Sequence, residues 1–420
     1  MSSHHQVLVI GGGTAGIMVS AQLKRAKRDL DVAIIEPADT HYYQPAWTLV
    51  GANSYDYQKT ARPMQGLIPP GVHWIKESAS EFKPEENIVV TVEGNSITYD
   101  FLVVAPGIKI DTSLIDGLTE ALDRDVVCSN YTDPLHTWTV LKNFKGGNAI
   151  FTQPTTPIKC GGAPQKICYL AADHFRKEGI LDNTNVVFAT PGTVIFGVPA
   201  IAKTLMKVIH RYGIHFKPFY APVKIDASNR EVTFKSVNPE ENNCIVNEGN
   251  VLQERTEGTY STVMPYDMLH LAPPQTAPDF VKSSSLANEA GWLDVNIETL
   301  QHVNYQNIFG LGDAAGLPTA KTGAAIRKQA PIVVANILKL MEAKSITDMK
   351  YNGYSSCPLV TGYGKMVLAE FDYKNNFLPD PQLKKMLVFD SSKEHWRLWM
   401  LKKYMLPYLY WNKMMKGVPV

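Results

Sequence analysis

Two hydrophobic periodicities alternate along this chain, and their order predicts its architecture. QVLVI at residues 6–10 is a short continuous apolar run, the pattern of a strand buried on both faces. GGGTAGIMVSAQL then carries apolar positions at helical spacing to about Lys27, and the strand pattern returns at Val32–Glu36. That is a βαβ unit. NIVVTVEGNSITYD (87–100) alternates apolar and polar residues around Gly94 and Asn95, which predicts a β-hairpin. The hairpin feeds FLVVAPG (101–107), another buried strand, and a linker from Asp123 leads into a helix ending near Asn143. Residues 149–189 repeat strand, loop, helix and strand, closing with NVVFATPG. The polar stretch 236–260 reads as a solvated hairpin or loop, with Cys244 as a surface thiol. GWLDVNIETLQHVNYQNIFGLGDAAG brings an apolar strand back, and a helix is predicted over about 323–343. Strands and helices alternating this way specify an α/β fold with two Rossmann-like dinucleotide-binding domains.

The first βαβ unit carries chemistry. Gly11, Gly13 and Gly16 stand in G-x-G-x-x-G spacing between strand and helix, and Glu36 lies twenty residues beyond Gly16. The glycines let the backbone approach a pyrophosphate at the positive end of the helix, and the glutamate is placed to accept hydrogen bonds from a ribose. An apolar strand ending in Gly107 and a second one ending in Gly310-Leu311-Gly312-Asp313 are the other two marks of a flavin domain, the aspartate lying beside the ribityl chain and pyrophosphate. The second half departs from this pattern. NAIFTQP is followed by TTPIKCGGAPQKICYLAADHF, with no glycine fingerprint and with Cys160 near its place. A flavin has a home here and a pyridine nucleotide does not, so electrons are expected to reach the flavin through sulfur. The domain boundaries that follow are 1–115 and 290–345 for the FAD-binding domain, 116–289 for a second domain degenerate for NAD, and 346–420 for a C-terminal region.

Composition excludes several classes. At 420 residues the chain is long enough for two or three domains, and 19% charged residues with a formal charge of +1 give no sign of a nucleic-acid partner. No apolar run reaches the length of a membrane span, and the chain enters a strand at once, which argues against a cleavable leader. Five scattered cysteines without a C-x-x-C pair exclude a secreted disulfide framework and a zinc knuckle, and no metal site is expected; His4 and His5 have no companion ligands. Cys160 precedes a helix expected to begin near Ala163, beside Lys159 and Lys166, where a thiolate is favoured. Cys168 lies on the apolar face of that helix and reads as core packing, while Cys357 in SSCP has turn composition.

Nearly the whole chain resembles the sulfide:quinone oxidoreductases, in particular the mitochondrial type. The matching segments are HYYQPAWTLVGA, GNAIFTQPTTPIKCGGAPQKICYL, YDMLHLAPPQTAPD, GLGDAAGLPTAKT and SSCPLVTGYGKMVLAEFDYK. The resemblance implies an FAD enzyme that oxidises hydrogen sulfide and reduces a ubiquinone-type quinone. It makes Cys160 and Cys357 the redox pair: sulfide attacks Cys357 of the bridge, a persulfide remains there, and the released Cys160 thiolate donates into the flavin. A small acceptor such as sulfite, glutathione, sulfide or cyanide then removes the sulfur. The resemblance also places Gln44 and Ala79 at the flavin nucleotide and Lys321 where it stabilises the reduced flavin. Some distant members have a third cysteine in the region of Cys128, whose role stays open.

The tail SSKEHWRLWMLKKYMLPYLYWNKMMKGVPV interleaves aromatic and apolar residues with Arg397, Lys402, Lys403, Lys413 and Lys416. Ser391 and Glu394 form a capping-box pattern, and Pro407 is expected to break the segment in two. Such a tail lies on an anionic membrane surface through residues 391–416, a peripheral attachment to a bacterial or mitochondrial inner membrane. The alternatives are a C-terminal clasp or homo-oligomer contact for the tail. For the whole chain they are an NADH:quinone oxidoreductase, a non-catalytic flavin redox sensor, or a sulfide dehydrogenase serving a cytochrome.

Overall fold

The computed structural model describes residues 3–237, 254–257 and 260–419. Its first sheet has seven strands, built on the parallel pairing of Ser3–Ile10 with Val32–Ile35 on one side and Ser96–Val104 on the other. Val72–Ile75 extends one edge, and Ile88–Thr91 and Ala79–Lys83 extend the other as antiparallel strands. The strand Ile308–Gly310 pairs parallel with the end of Ser96–Val104, so the chain does return to its first sheet after an excursion of some two hundred residues. Val7, Leu8, Val9 and Leu102 are wholly buried, as continuous apolar runs in a parallel sheet should be. The predicted hairpin forms, with Gly94 in a left-handed conformation at its turn.

A second, five-stranded parallel sheet runs Val127–Cys128, Met268–Leu271, Gly147–Thr152, Thr184–Ala189 and His215–Lys217. A four-stranded antiparallel sheet (Tyr220–Asp226, Glu231–Ser236, Ser261–Pro265, Arg255–Glu257) stands beside it. Arg255–Glu257 gives part of the polar 236–260 stretch a strand edge; Cys244 lies outside the described residues. Cys168 is buried at 0% exposure in this second core, with its thiol pushed well up by burial, as a packing cysteine should be.

Three local expectations are corrected. Cys357 belongs to a strand, Ser355–Gly362, paired with Lys365–Phe371, because Pro358 is tolerated in a two-stranded ribbon that has free edges. The tail helix starts at Trp396 with His395 as its cap, whereas Glu394 is drawn away to Arg211 and Thr361 and leaves the Ser391 capping box unformed. Pro407 does not split the tail. Trp396–Met400, a π-helical turn at Leu401–Met405 and Leu406–Asn412 run on as one helix, and the widened turn lies directly before the proline that lacks an N–H.

That helix bridges two cores. Leu398, Trp399 and Leu401 pack into the core of the second sheet, while Tyr410, Met414 and Met415 pack into that of the first. No helix among the described residues is long and apolar enough to cross a membrane.

Candidate active site

The glycine turn is shaped as its spacing requires. Gly11 has φ +95°, and a Cβ there would stand 2.5 Å from the Ala105 carbonyl; a Cβ at Gly16 would collide with the Gly11 carbonyl. Only glycine fits either place. Gly13 opens the helix Thr14–Ala26, has open space where a Cβ would stand, and no side chain caps the helix. Its first N–H groups therefore face outward, ready for an anion. Glu36, at the end of its strand, turns a carboxylate oxygen to the Gly12 N–H at 2.7 Å, and Gly107 offers a second open approach.

Gly312 has φ +73° and donates its N–H to Gln329 at 2.9 Å; burial pushes the Asp313 carboxyl up, partly offset by Lys321 and Lys159. Gln44 is exposed on a short turn, and Ala79 opens an edge strand of the first sheet, buried. Neither is brought into contact with the sulfur pair by any recorded interaction.

Cys160 and Cys357 meet. Their thiols are in hydrogen-bond contact, both unbridged, although they come from different domains of the sequence. A short strip of backbone joins them. The Cys160 N–H donates to the Lys321 carbonyl at 2.7 Å, and Lys159 and Lys321 form a parallel bridge. On the other flank, the Ser355 hydroxyl donates to the Ala320 carbonyl at 3.1 Å and pairs with Thr322 Oγ1 at 2.9 Å. Residues 320–322 thus hold both sulfur-bearing segments, and Thr322 also caps the helix Gly323–Met341. Cys160 itself has φ +54°, a left-handed conformation that costs a non-glycine residue about 1–2 kcal/mol.

The electrostatics of the pair are unequal. A hydrogen bond from Cys357 is the largest influence holding the Cys160 thiol well below its ordinary range, and burial opposes it. Lys166, whose ammonium donates to Cys160 Sγ at 2.8 Å, and Lys402 add to the depression. Cys357 is driven the opposite way, first by that shared hydrogen bond and then by burial. The arrangement favours the thiolate on Cys160 over Cys357. Of the two lysines expected beside Cys160, Lys166 makes the contact, whereas the Lys159 ammonium is pressed down by burial, an effect partly offset by the charge of Asp313. Cys128 is wholly buried, and burial is the main cause pushing its thiol far up, the setting of a packing thiol.

Two residues expected on the membrane-facing side of the tail turn inward instead. Lys402, on the tail helix, is buried and donates to the Pro45 carbonyl at 3.2 Å; burial and then Lys166 press its ammonium down to about 7. The signal was present, since Lys402 stands four residues after buried Leu398 on the apolar stripe, where a lysine has no packing reason to be. Tyr410 is the other. Its hydroxyl pairs with Thr14 Oγ1 at 2.7 Å and with His41 Nε2 at 2.5 Å, tying the tail to the glycine turn.

Residues 5–139 match a family model described as pyridine nucleotide-disulphide oxidoreductase. The chain is 40% identical over 417 residues to the mitochondrial sulfide:quinone oxidoreductase of Mus musculus, covering 99% of this chain and 87% of that protein. The corresponding protein of Dictyostelium discoideum is also 40% identical, covering 98% and 86%. This chain belongs to the sulfide:quinone oxidoreductase family. The solved sulfide:quinone oxidoreductase of Aquifex aeolicus shares the fold with TM-score 0.76 at 21% identity, covering 99% of this chain and 92% of that one.

FAD is the cofactor of this family, and the first half of the chain fits it. An uncapped helix N-terminus, open approaches at Gly13 and Gly107, and Glu36 at the strand end would supply pyrophosphate and ribose sites. Lys321, buried and brought down to about 8 mainly by burial, reaches the carbonyls of Asp313 and Ala315 beside Gly312. The same test fails for a pyridine nucleotide in the second half. A Cβ at Gly162 would stand 2.5 Å from Cys357 Sγ and 2.7 Å from Leu359 Cδ2, so the strand carrying Cys357 covers the helix N-terminus where a pyrophosphate would rest. In this family member the segment carrying Cys357 fills the place where a second dinucleotide's pyrophosphate would rest.

The buried Lys402 has a cost that can be measured. A lysine whose folded pKa is about 7 against an ordinary 10.5 destabilises the fold fully below about pH 7. That cost fades as pH rises toward 10.5, because the unfolded chain there loses the extra proton it binds. Lys402→Met is expected to stabilise the protein by about 1–4 kcal/mol at pH 6, with the gain shrinking at pH 9, while sulfide turnover falls. Thermal denaturation at the two pH values tests this, and equal melting temperatures for both proteins at pH 6 would refute it.

Proposed function

We propose that Cys160 and Cys357 are the sulfur-handling pair through which this chain oxidises hydrogen sulfide and reduces a quinone. The observation that carries this reading is the contact between the two thiols, with the thiolate on Cys160 and Lys166 beside it. Starting from the bridged pair, HS⁻ forms a bond to Cys357 Sγ as the Cys160–Cys357 bond breaks. The electron pair of that bond leaves on Cys160. Exchange favours the more stable thiolate as leaving group, and Lys166 makes Cys160 that group. A small nucleophile, whether a thiol, sulfite, sulfide or cyanide, takes the outer sulfur from Cys357 and leaves a Cys357 thiolate. The pair then gives up two electrons and re-forms its bridge. A bound FAD would supply the two-electron acceptor that this step needs and the onward path to quinone. Gly11, Gly13, Gly16, Glu36, Gln44, Ala79, Gly107, Gly312, Asp313 and Lys321 are the residues proposed to hold it.

The test is an anaerobic titration of the FAD-loaded protein with sulfide and, separately, with NADH. Bleaching at one equivalent of sulfide and none with NADH is the expected result; reduction by NADH alone would overturn the assignment.

Quinone is lipid-borne, and the outer face of the tail helix suits a membrane surface. Trp396, Met400, Tyr404, Met405 and Tyr408 are exposed there, and Phe389 nearby is 77% exposed. Arg397, Lys403 and Lys413 are interleaved with them. An apolar, aromatic face fringed by cations lies at the headgroup boundary of an inner membrane, bacterial or mitochondrial. Truncating the chain from Ser391 would also strip Tyr410, Met414 and Met415 from the first core, so surface substitutions are the cleaner test. The triple variant Trp396→Ser, Met400→Ser, Met405→Ser is expected to remain folded and move from membrane pellet to supernatant; continued pelleting would show that the tail is not the anchor.

A further inference from the structure

A cleft of about 950 Å³ opens between the tail helix and the 53–67 segment. Tyr404, Pro407, Tyr408 and Trp411, at helical i, i+3, i+4 and i+7 spacing, form one wall. Lys59, Arg62, Lys403 and Lys416 line it with a single carboxylate, Asp56, which is engaged in its own turn through the Gln58 N–H. Among the described residues none of these four cations is in an ion pair. Arg62 lies with its guanidinium carbon 5.0 Å from the Trp411 ring centroid and donates from Nη1 to the Ala61 carbonyl at 2.7 Å, contacts that orient the guanidinium and leave its other N–H groups to a ligand.

We propose that this cleft binds the phosphate headgroup of an anionic phospholipid. Two observations select that occupant. Four unpaired cations over an aromatic wall demand an anion with oxygens to spare, and phosphate satisfies a guanidinium fork. The mouth is bordered by Tyr404 and Tyr408, which belong to the same exposed face as Trp396, Met400 and Met405. A phosphate in the cleft therefore leaves acyl chains running along an apolar surface, which a free anion does not use. The cleft residues are separate from the sulfur pair and the glycine turn, so this is a lipid site beside the reaction centre.

The proposal rests on the membrane reading above, and vesicle sedimentation separates the two. The full-length, FAD-loaded protein is mixed with vesicles of phosphatidylcholine alone or containing about a third phosphatidylglycerol. The expected result is binding to both, with at least a tenfold preference for the anionic vesicles. Lys59→Gln with Arg62→Gln should abolish that preference, at roughly fivefold per cation. Lys224→Gln with Lys235→Gln, two exposed lysines on the four-stranded antiparallel sheet, should leave it intact, and Arg62→Lys should restore part of it. Turnover with a water-soluble quinone analogue should be unchanged in all these variants, which also reports that they fold. Equal binding to both vesicle types overturns the lipid site and leaves the membrane reading standing. Binding to neither overturns both. Loss of the preference in millimolar inorganic phosphate at constant ionic strength would make the cleft a free-anion site and overturn the lipid assignment.

Discussion

Sulfide-dependent turnover is expected to fall by on the order of 10³-fold or more in Cys160→Ser and in Cys357→Ser alike, with FAD retained in both. A serine hydroxyl neither bridges to the remaining thiol nor carries a sulfane sulfur. The cofactor should stay because Gly11, Gly13, Gly16 and Glu36 are built on the first sheet, away from the substituted atoms. The two variants should nonetheless differ. In Cys357→Ser the remaining Cys160 keeps Lys166 at hydrogen-bond distance and should be alkylated readily at neutral pH. In Cys160→Ser the remaining Cys357 is 2% exposed and has no such contact, and should alkylate slowly. Cys128→Ser is the matched control: its buried thiol touches neither sulfur of the pair in any recorded interaction, and turnover should survive. Turnover in Cys160→Ser within a few-fold of the parent would end the proposed reaction.

Lys166→Met is expected to shift the pH dependence of the pair upward. The Cys160 thiol is held low by Cys357 first and then by Lys166, so its thiolate persists to lower pH than an ordinary cysteine's. Removing the ammonium leaves a buried thiolate with burial working against it, and the midpoint for alkylation of Cys160 must rise. At pH 7 the alkylation rate should drop by roughly tenfold or more, and sulfide turnover with it. Above the new midpoint the rates should converge, which a merely unfolded variant would not show. Lys166→Arg should recover much of the effect. An unchanged pH profile in the methionine variant would show that Lys166 does not set the thiolate.

Most of the fold was readable because periodicity reports burial directly. Val7–Ile10, the hairpin around Gly94 and the helix after Asp313 each carry a pattern with one structural reading. The glycine turn was readable for the same reason, since Gly11 and Gly16 stand where backbone crowding admits nothing else. The sulfur pair was not readable from local pattern. Nothing around Cys357 distinguishes a turn from a strand, and what brings it to Cys160 is a set of backbone contacts through residues 320–322 that no periodicity encodes. The family resemblance supplied that pairing. The tail misled for a different reason: Pro407 and the Ser391–Glu394 pair are sound local signals, but Arg211 captured Glu394 and the π-helical turn absorbed the proline. Lys402 and Tyr410 were read with the membrane-facing tail and turn inward instead, because their partners, Pro45 and Thr14, lie at the far end of the chain.

The strip at 320–322 has one more consequence. Both sulfur-bearing segments are sewn to the same three residues, so making or cleaving the proposed Cys160–Cys357 bond would change side-chain torsions and no length of chain. Each sulfur stays tethered within reach of the other, at an effective concentration far above that of any solute thiol. Under the proposed reaction, if a dissolved thiol were to form a mixed disulfide with one sulfur, the other would lie within reach to attack it, expel that thiol and restore the bridge.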